Sequence, residues 1–283
     1  MSAEAGPKHC YLLRLAYDGF GFSGWQAQKN ASTLQGVLES ALSSVFDQPI
    51  RVVAAGRTDA GVHALDQAVH FKTSTYRQPR ALYEALRTML PQCMSVRCVN
   101  MVEPEFHARF WALRRTYVYW IRCSERHDPF LSRLCWRVSL PLNFDAIRKG
   151  LDALVGTHDF SAFAVKSPGR NPRVTMDLAK VFDLGDENVY FVFRASHFLR
   201  KMVRILLAGL IELGLGRLVL QDLKTSLETG VLAKHVAPAP PGGLFLAQVL
   251  YPADVRVFER YPAEAGDEKI PGILYPQDGH IPF

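Results

Sequence analysis

Apolar positions along the chain change period several times, and those changes mark its elements. Residues 11–17 alternate as a half-buried strand does. Leu34, Val37, Leu38, Ala41, Leu42, Val45 and Phe46 then recur at i, i+3, i+4, i+7, i+8, i+11 and i+12, one face of a helix. Ser32 and Gln35 fit a capping box at its start. Residues 50–55 and 67–72 are short strand-like runs. Residues 79–90 predict a second helix opened by a proline, and residues 96–102 another strand. The first third therefore reads β-α-β-β-α-β.

The remainder repeats that order. Residues 116–123 alternate as a strand, and residues 144–155 predict a helix closed by Gly156. Residues 174–184 and 189–196 predict strands split by the turn-like Gly185-Asp186-Glu187-Asn188. Helices are expected over 198–215 and 219–228, and a last strand over 244–251 after Pro238, Pro240 and Pro241. Two such units predict an α+β protein with two ferredoxin-like halves, their antiparallel sheets joined across a central cleft. The expected organisation is an N-terminal α+β domain over residues 8–105, a C-terminal one over 106–252, and an extended tail over 253–283. The boundary falls near Glu103-Pro104.

Composition narrows the class. The 283 residues are 48% hydrophobic and 21% charged, which excludes a disordered or collagen-like chain. The longest apolar run, residues 205–211, ends at Glu212, far short of the ~20 residues of a membrane span. The N-terminus carries Glu4 and no apolar block, so it reads neither as a secretory signal nor as a transit peptide. Five scattered cysteines form no CxxC pair, as expected of reduced thiols in the cytoplasm. With 33 Lys plus Arg against 27 Asp plus Glu, the net charge is +6, which suits a polyanionic partner.

Several segments could carry chemistry. Gly19-Phe20-Gly21-Phe22-Ser23-Gly24 matches GxGxxG after a strand, but Trp25 to Asn30 intervene before the helix. A dinucleotide site needs the helix to open at the glycines, so this segment reads as a turn and no nucleotide cofactor is expected. Gly56-Arg57-Thr58-Asp59-Ala60-Gly61-Val62-His63 joins two strands and presents Arg57 and Asp59 close together at a sheet end. Such a segment is either a hairpin loop with a local ion pair or the seat of a carboxylate nucleophile or base. In Phe106-His107-Ala108-Arg109-Phe110, an arginine flanked by aromatics suits a phosphate or a stacked base, while core packing at a domain junction is the plain alternative. Tyr117 and Tyr119 share a strand face. Arg200 and Arg204, at i and i+4 of the expected helix, interrupt an apolar face and call for an anionic partner, a carboxylate or an RNA phosphate. The histidines show no HExxH or HxxxH spacing, and no metal site is expected. No GxSxG or Walker pattern occurs.

Taken together, these segments resemble the TruA-type tRNA pseudouridine synthases over about residues 8–252. The match runs in order through Tyr17-Asp18-Gly19, Gly24-Trp25-Gln26, the Gly56–His63 segment, Phe106 to Phe110 with Arg115 and Tyr117, Gly156 to Phe160, Phe198 to Arg204 and Gly243 to Leu246. The resemblance implies the pseudouridine synthase fold and isomerisation of uridine to pseudouridine at positions 38 to 40 of the tRNA anticodon arm. It implies a homodimer that needs no cofactor. It assigns catalysis to Asp59, Tyr117 and Arg204, and base flipping to Arg57. RNA contacts fall to Arg77 and the Phe106, His107, Ala108, Arg109, Phe110 segment, with Lys166 and Arg170 as backbone contacts. The chain departs from the family's Arg-Thr-Pro-x-Arg pattern, carrying Arg170-Asn171-Pro172-Arg173. A catalytically silent RNA-binding protein on the same scaffold is the alternative. A glycosidase fits less well, because the Asp59 segment supplies one carboxylate where that chemistry uses two.

Overall fold

The computed structural model describes residues 9–166, 169 and 171–262. Two compact units emerge, one running to Leu113 and resuming at Leu246, the other spanning Arg114–Phe245. The first unit begins β1 (His9–Tyr17), α1 (Leu34–Phe46), β2 (Val52–Ala54), β3 (His63–Thr73), α2 (Pro79–Met89) and β4 (Met94–Val102), the order expected from periodicity. β1 is central and antiparallel to both β3 and β4, with Leu13 opposite Val69 and Val99. β2 adds to β3, with Val53 opposite His70.

α1 buries Leu34, Leu38, Leu42 and Phe46, as its period demands. Phe46 meets Phe71 edge-on at 5.4 Å, and Tyr11 stacks on Phe71 at 5.2 Å. Burying side chains of this size contributes about 1.5–3 kcal/mol each. The capping box expected of Ser32 and Gln35 does not form. Thr33 caps the helix instead, its hydroxyl accepting from the Gly36 N–H at 3.3 Å. Gln35 is drawn elsewhere: its carbonyl accepts from the Ala27 N–H and its amide donates to Glu39. Buried Glu39 also accepts from the Val52 N–H at 3.0 Å, which ties α1 to the start of β2.

The second unit contains β5 (Arg114–Cys123), β6 (Trp136–Val138), α3 (Phe144–Leu154), β7 (Gly156–Asp159), β8 (Arg173–Asp183), β9 (Asn188–Ala195), α4 (Met202–Gly214) and α5 (Leu220–Thr229). β5, β9, β8 and β7 are antiparallel neighbours in that order, and β6 runs parallel to β5. β6 and β7 are three and four residues long, too short for a period to show in sequence. α4 starts four residues later than expected. Lys201 takes a left-handed φ of 62°, and the Met202 N–H closes a turn onto the Leu199 carbonyl. Arg200 therefore precedes the helix, is exposed, and does not share a helical face with Arg204.

Within β10 (Leu244–Leu250) the chain returns to the first unit. There the Val249 carbonyl accepts from the Arg14 guanidinium, which also pairs with Asp66. β11 (Val257–Tyr261) then pairs antiparallel with β4, so this part of the expected tail is an edge strand. Arg260 donates to Asn100 at 3.0 Å, and Tyr261 packs edge-on against Tyr83. Residues 106–113, expected in the second half, stay with the first unit because Phe106 is buried among His70, Trp111 and Tyr251. Among the described residues no helix is long and apolar enough to cross a membrane.

Candidate active site

Asp59 sits half-buried on the connection between β2 and β3. That connection is pinned from below. Thr58, just before it, is buried and shares a 2.9 Å hydrogen bond with the hydroxyl of Tyr17 on β1. Gln67 on β3 donates to the Gly56 carbonyl at 2.7 Å. The Val62 N–H closes a turn onto the Asp59 carbonyl at 3.1 Å, with Gly61 at a left-handed φ of 75°. Desolvation pushes the Tyr17 hydroxyl up to about 12, so it stays protonated as a fixed partner for Thr58.

A second loop clamps the first. The Trp25 N–H donates to the Thr58 carbonyl at 3.0 Å. Gly24 takes a φ of 87°, and a β-carbon there would stand 2.8 Å from the same carbonyl. A β-carbon on Gly19 would collide with the Val62 carbonyl. The glycines that mimic a dinucleotide motif thus serve close backbone approach to the Asp59 loop. His63, buried at the end of that loop, accepts from the Gly19 N–H at its Nδ1, 3.1 Å away, while Asp18 Oδ1 stands 3.0 Å from the same nitrogen. The two neighbours ask opposite things of it: Gly19 needs its lone pair, Asp18 its proton.

The 106–110 segment divides sharply. Phe106 and Ala108 are fully buried; the Ala108 N–H donates to His70 and its carbonyl accepts from the Tyr251 hydroxyl. His107, Arg109 and Phe110 form an outward cluster instead. His107 Nδ1 accepts from the backbone N–H groups of Arg109 and Phe110, its ring stacks on Phe110 at 4.2 Å, and the Arg109 guanidinium lies 5.7 Å from the Phe110 ring centre. Phe110 is 75% exposed. Burial, then the neighbouring His107, push His70 down to about 4, and burial lowers His107 too, so both rings are neutral at physiological pH. Arg57 is exposed on the Asp59 loop. Arg77 is exposed before α2, its backbone held by the Tyr11 hydroxyl.

In the second unit Tyr117 lies buried on β5, edge-on to Phe198 at 5.0 Å. Tyr119, two residues on, is a structural tyrosine: its hydroxyl donates to the Pro240 carbonyl at 2.6 Å, and burial raises its pKa. Arg204 stands in the first turn of α4, half-buried. Its Nε donates to the Ala239 carbonyl at 2.7 Å, and its own carbonyl accepts from the Ala239 N–H at 3.0 Å. Lys166 is exposed. Arg170 lies outside the described residues.

A family model for tRNA pseudouridine synthase matches residues 15–110 and 151–252. The chain belongs to the tRNA pseudouridine synthase family. The tRNA pseudouridine synthase A of Exiguobacterium sp. strain AT1b is 38% identical over 240 residues, covering 84% of this chain and 96% of that one. That of Dictyoglomus thermophilum is 38% identical over 243 residues, covering 85% and 99%. These relatives place the chain in the TruA-type branch. An archaeal box H/ACA sRNP Nop10-Cbf5 complex overlaps 76% of this chain and 54% of that one at a TM-score of 0.32 and 9% identity, a likeness too weak to inform the site.

The synthase match covers the Asp59 loop, the clamp around it and the 106–110 segment, and takes up again at residue 151. Tyr17, Thr58 and Gln67, which hold the Asp59 loop, escaped the sequence reading as supports. Their only signal was polar or phenolic character at positions the strand pattern buries. Trp25 offered a second signal, an aromatic directly after a glycine turn.

Proposed function

We propose that this chain isomerises uridine to pseudouridine in the anticodon arm of tRNA, at positions 38 to 40, with Asp59 as the carboxylate that acts on the reacting nucleotide. Family membership makes it an isomerase acting on tRNA. The observation that carries the finer reading is the Asp59 loop itself. A half-buried carboxylate stands on a loop fixed by backbone contacts, a buried Tyr17–Thr58 pair and two glycines that admit no side chain. Fixing a nucleophile or base before substrate arrives is what lowers the entropic part of a barrier.

The chemistry suits one carboxylate. The C–N glycosidic bond breaks and a C–C bond forms between the same sugar and the same uracil. The sugar carbon becomes electron-poor as the first bond opens, as in glycoside hydrolysis. An ionised Asp59 traps or stabilises that carbon, or removes a sugar proton. In this reading Arg204 keeps a carboxylate ionised and oriented. Tyr117 stacks on the detached uracil and exchanges its proton. Arg57, exposed on the Asp59 loop, fills the gap left when the uridine leaves its stack. Arg109, Phe110 and His107 offer an outward cation and two rings to RNA, with Arg77, Lys166 and Arg170 as further backbone contacts. Phe106 and Ala108 serve that cluster by packing beneath it. The protein works as a cytoplasmic homodimer.

The test uses unmodified tRNA transcripts carrying uridine at 38, 39 or 40. Wild type and Asp59→Ala are incubated with them, and pseudouridine is mapped by carbodiimide-dependent primer extension. Stops at these positions with wild type alone are expected. Stops elsewhere would overturn the site choice, and stops with Asp59→Ala would overturn the role of the carboxylate. Salt-sensitive tRNA binding without any stops would make the chain an RNA-binding protein.

A further inference from the structure

Phe20 has no part in the reading above. Its ring is 59% exposed, yet the chain on both sides of it is fixed. Its own N–H donates to Asp18 Oδ1 at 2.9 Å, the Phe22 N–H to the Gly19 carbonyl, and the Ser23 N–H to the Ser32 carbonyl. The loop it tops rests at both ends on the Asp59 loop, through Gly19 against Val62 and Gly24 against Thr58. Successive α-carbons are about 3.8 Å apart, so Phe20 leaves the backbone one residue from a direct contact with the turn that carries Asp59. Gly21 follows it at a φ of 82° with open space around it, which turns the chain and leaves the ring outside.

We propose that Phe20 is a stacking platform for a nucleobase next to the reacting uridine, a proposal that rests on the reading of Asp59 given above. A uridine drawn out of a stem leaves its neighbour with one face unstacked and wet. A phenyl ring carried on a loop clamped to the Asp59 turn covers that face and sheds its own exposed apolar area. Every base has a π face, so such a platform positions RNA without selecting its sequence. The clamp keeps the backbone that carries the ring in place relative to the Asp59 turn.

The test is steady-state kinetics on an unmodified tRNA transcript with Phe20→Ala, Phe20→Leu, Phe20→Tyr and Phe20→Trp. Base stacking on an aromatic corresponds to about a 5- to 150-fold change. Phe20→Ala should raise KM by a factor within that range while kcat stays within about twofold, and its thermal midpoint should match wild type. Tyr and Trp should restore KM, whereas Leu, apolar but without a π face, should not. Transcripts with an abasic nucleotide on one side of the target supply the second arm. The abasic site that costs wild type this factor should cost Phe20→Ala nothing more. A wild-type KM in Phe20→Ala, rescue by Leu equal to that by Trp, or the same abasic penalty in wild type and Phe20→Ala would each overturn the proposal while leaving Asp59 its role. A wild type that isomerises no uridine would overturn both.

Discussion

The connection between β2 and β3 in the first unit and that between β8 and β9 in the second are built in different ways. In the first unit, β2 and β3 are joined by residues 55–62, which carry Asp59 and are held by side chains and backbone from β1, β3 and the 19–25 loop. In the second, β8 and β9 are joined by an exposed turn at residues 184–187. Within that turn Asp183 accepts from the Gly185 N–H and the Asn188 N–H returns to the Gly185 carbonyl, while β5 reaches it at Glu187, whose carbonyl accepts from the Cys123 N–H and whose carboxylate pairs with Arg122. Gly185, Asp186 and Glu187 all take left-handed φ values. The contacts the second connection takes from β5 fall on exposed Glu187, and its shape follows turn chemistry. The first is fixed instead through buried groups next to Asp59: Thr58 is buried, and it is held by Tyr17 and by the Trp25 N–H.

The largest effect should come from the charge each connection carries. Asp59→Asn keeps the shape and removes the carboxylate, and should lower turnover on the order of 10³-fold or more. Asp186→Asn should leave turnover unchanged. Single-turnover assays on one transcript compare the two directly, and equal effects would end the contrast. Next come the glycines. Gly24→Ala forces a β-carbon against the Thr58 carbonyl in a left-handed backbone, whereas Gly185→Ala meets open space. Strain alone costs about 1–2 kcal/mol at each site. The clash should add to it only at Gly24, with a loss of about tenfold or more in turnover as the Asp59 loop shifts. Thermal melts and turnover together separate strain from displacement.

A smaller effect is expected from Tyr17→Phe. It removes the partner of buried Thr58 and should cost about 1–2 kcal/mol, read from denaturant midpoints. A separate effect is an acid dependence carried by His70 in the first unit. His70 titrates near 4 when folded, below its ordinary 6.5, so the unfolded chain binds the proton first. The stability this neutral ring supports is complete above pH 6.5 and is lost as pH falls through 4. His70→Asn should flatten stability between pH 6.5 and 4. An unchanged slope in that variant would move the titration elsewhere.

Periodicity alone located the apolar face of α1, Leu34 to Phe46, because a helix with one apolar face writes its burial at every third or fourth position. It also placed α2, α3 and the long strands, and the order of elements in the first unit, while β6 and β7 of the second escaped it. The Asp59 segment stood out as a polar run between two strands, and its likeness to a known family pointed to chemistry. What spacing could not reveal were contacts between distant parts of the chain. Thr33 rather than Ser32 caps α1 because Gln35 is taken by Ala27 and Glu39. α4 begins at Met202 because Lys201 turns left-handed, which separated Arg200 from Arg204. Phe106 and Ala108 went to the core while Arg109 and Phe110 stayed outside, a division set by His70 and Tyr251. Gly19 and Gly24 looked like a nucleotide turn and proved to be the clamp on the Asp59 loop. Local patterns report which side of an element is buried. Only the folded chain decides which buried groups meet, because those meetings join residues whose separation in sequence carries no period.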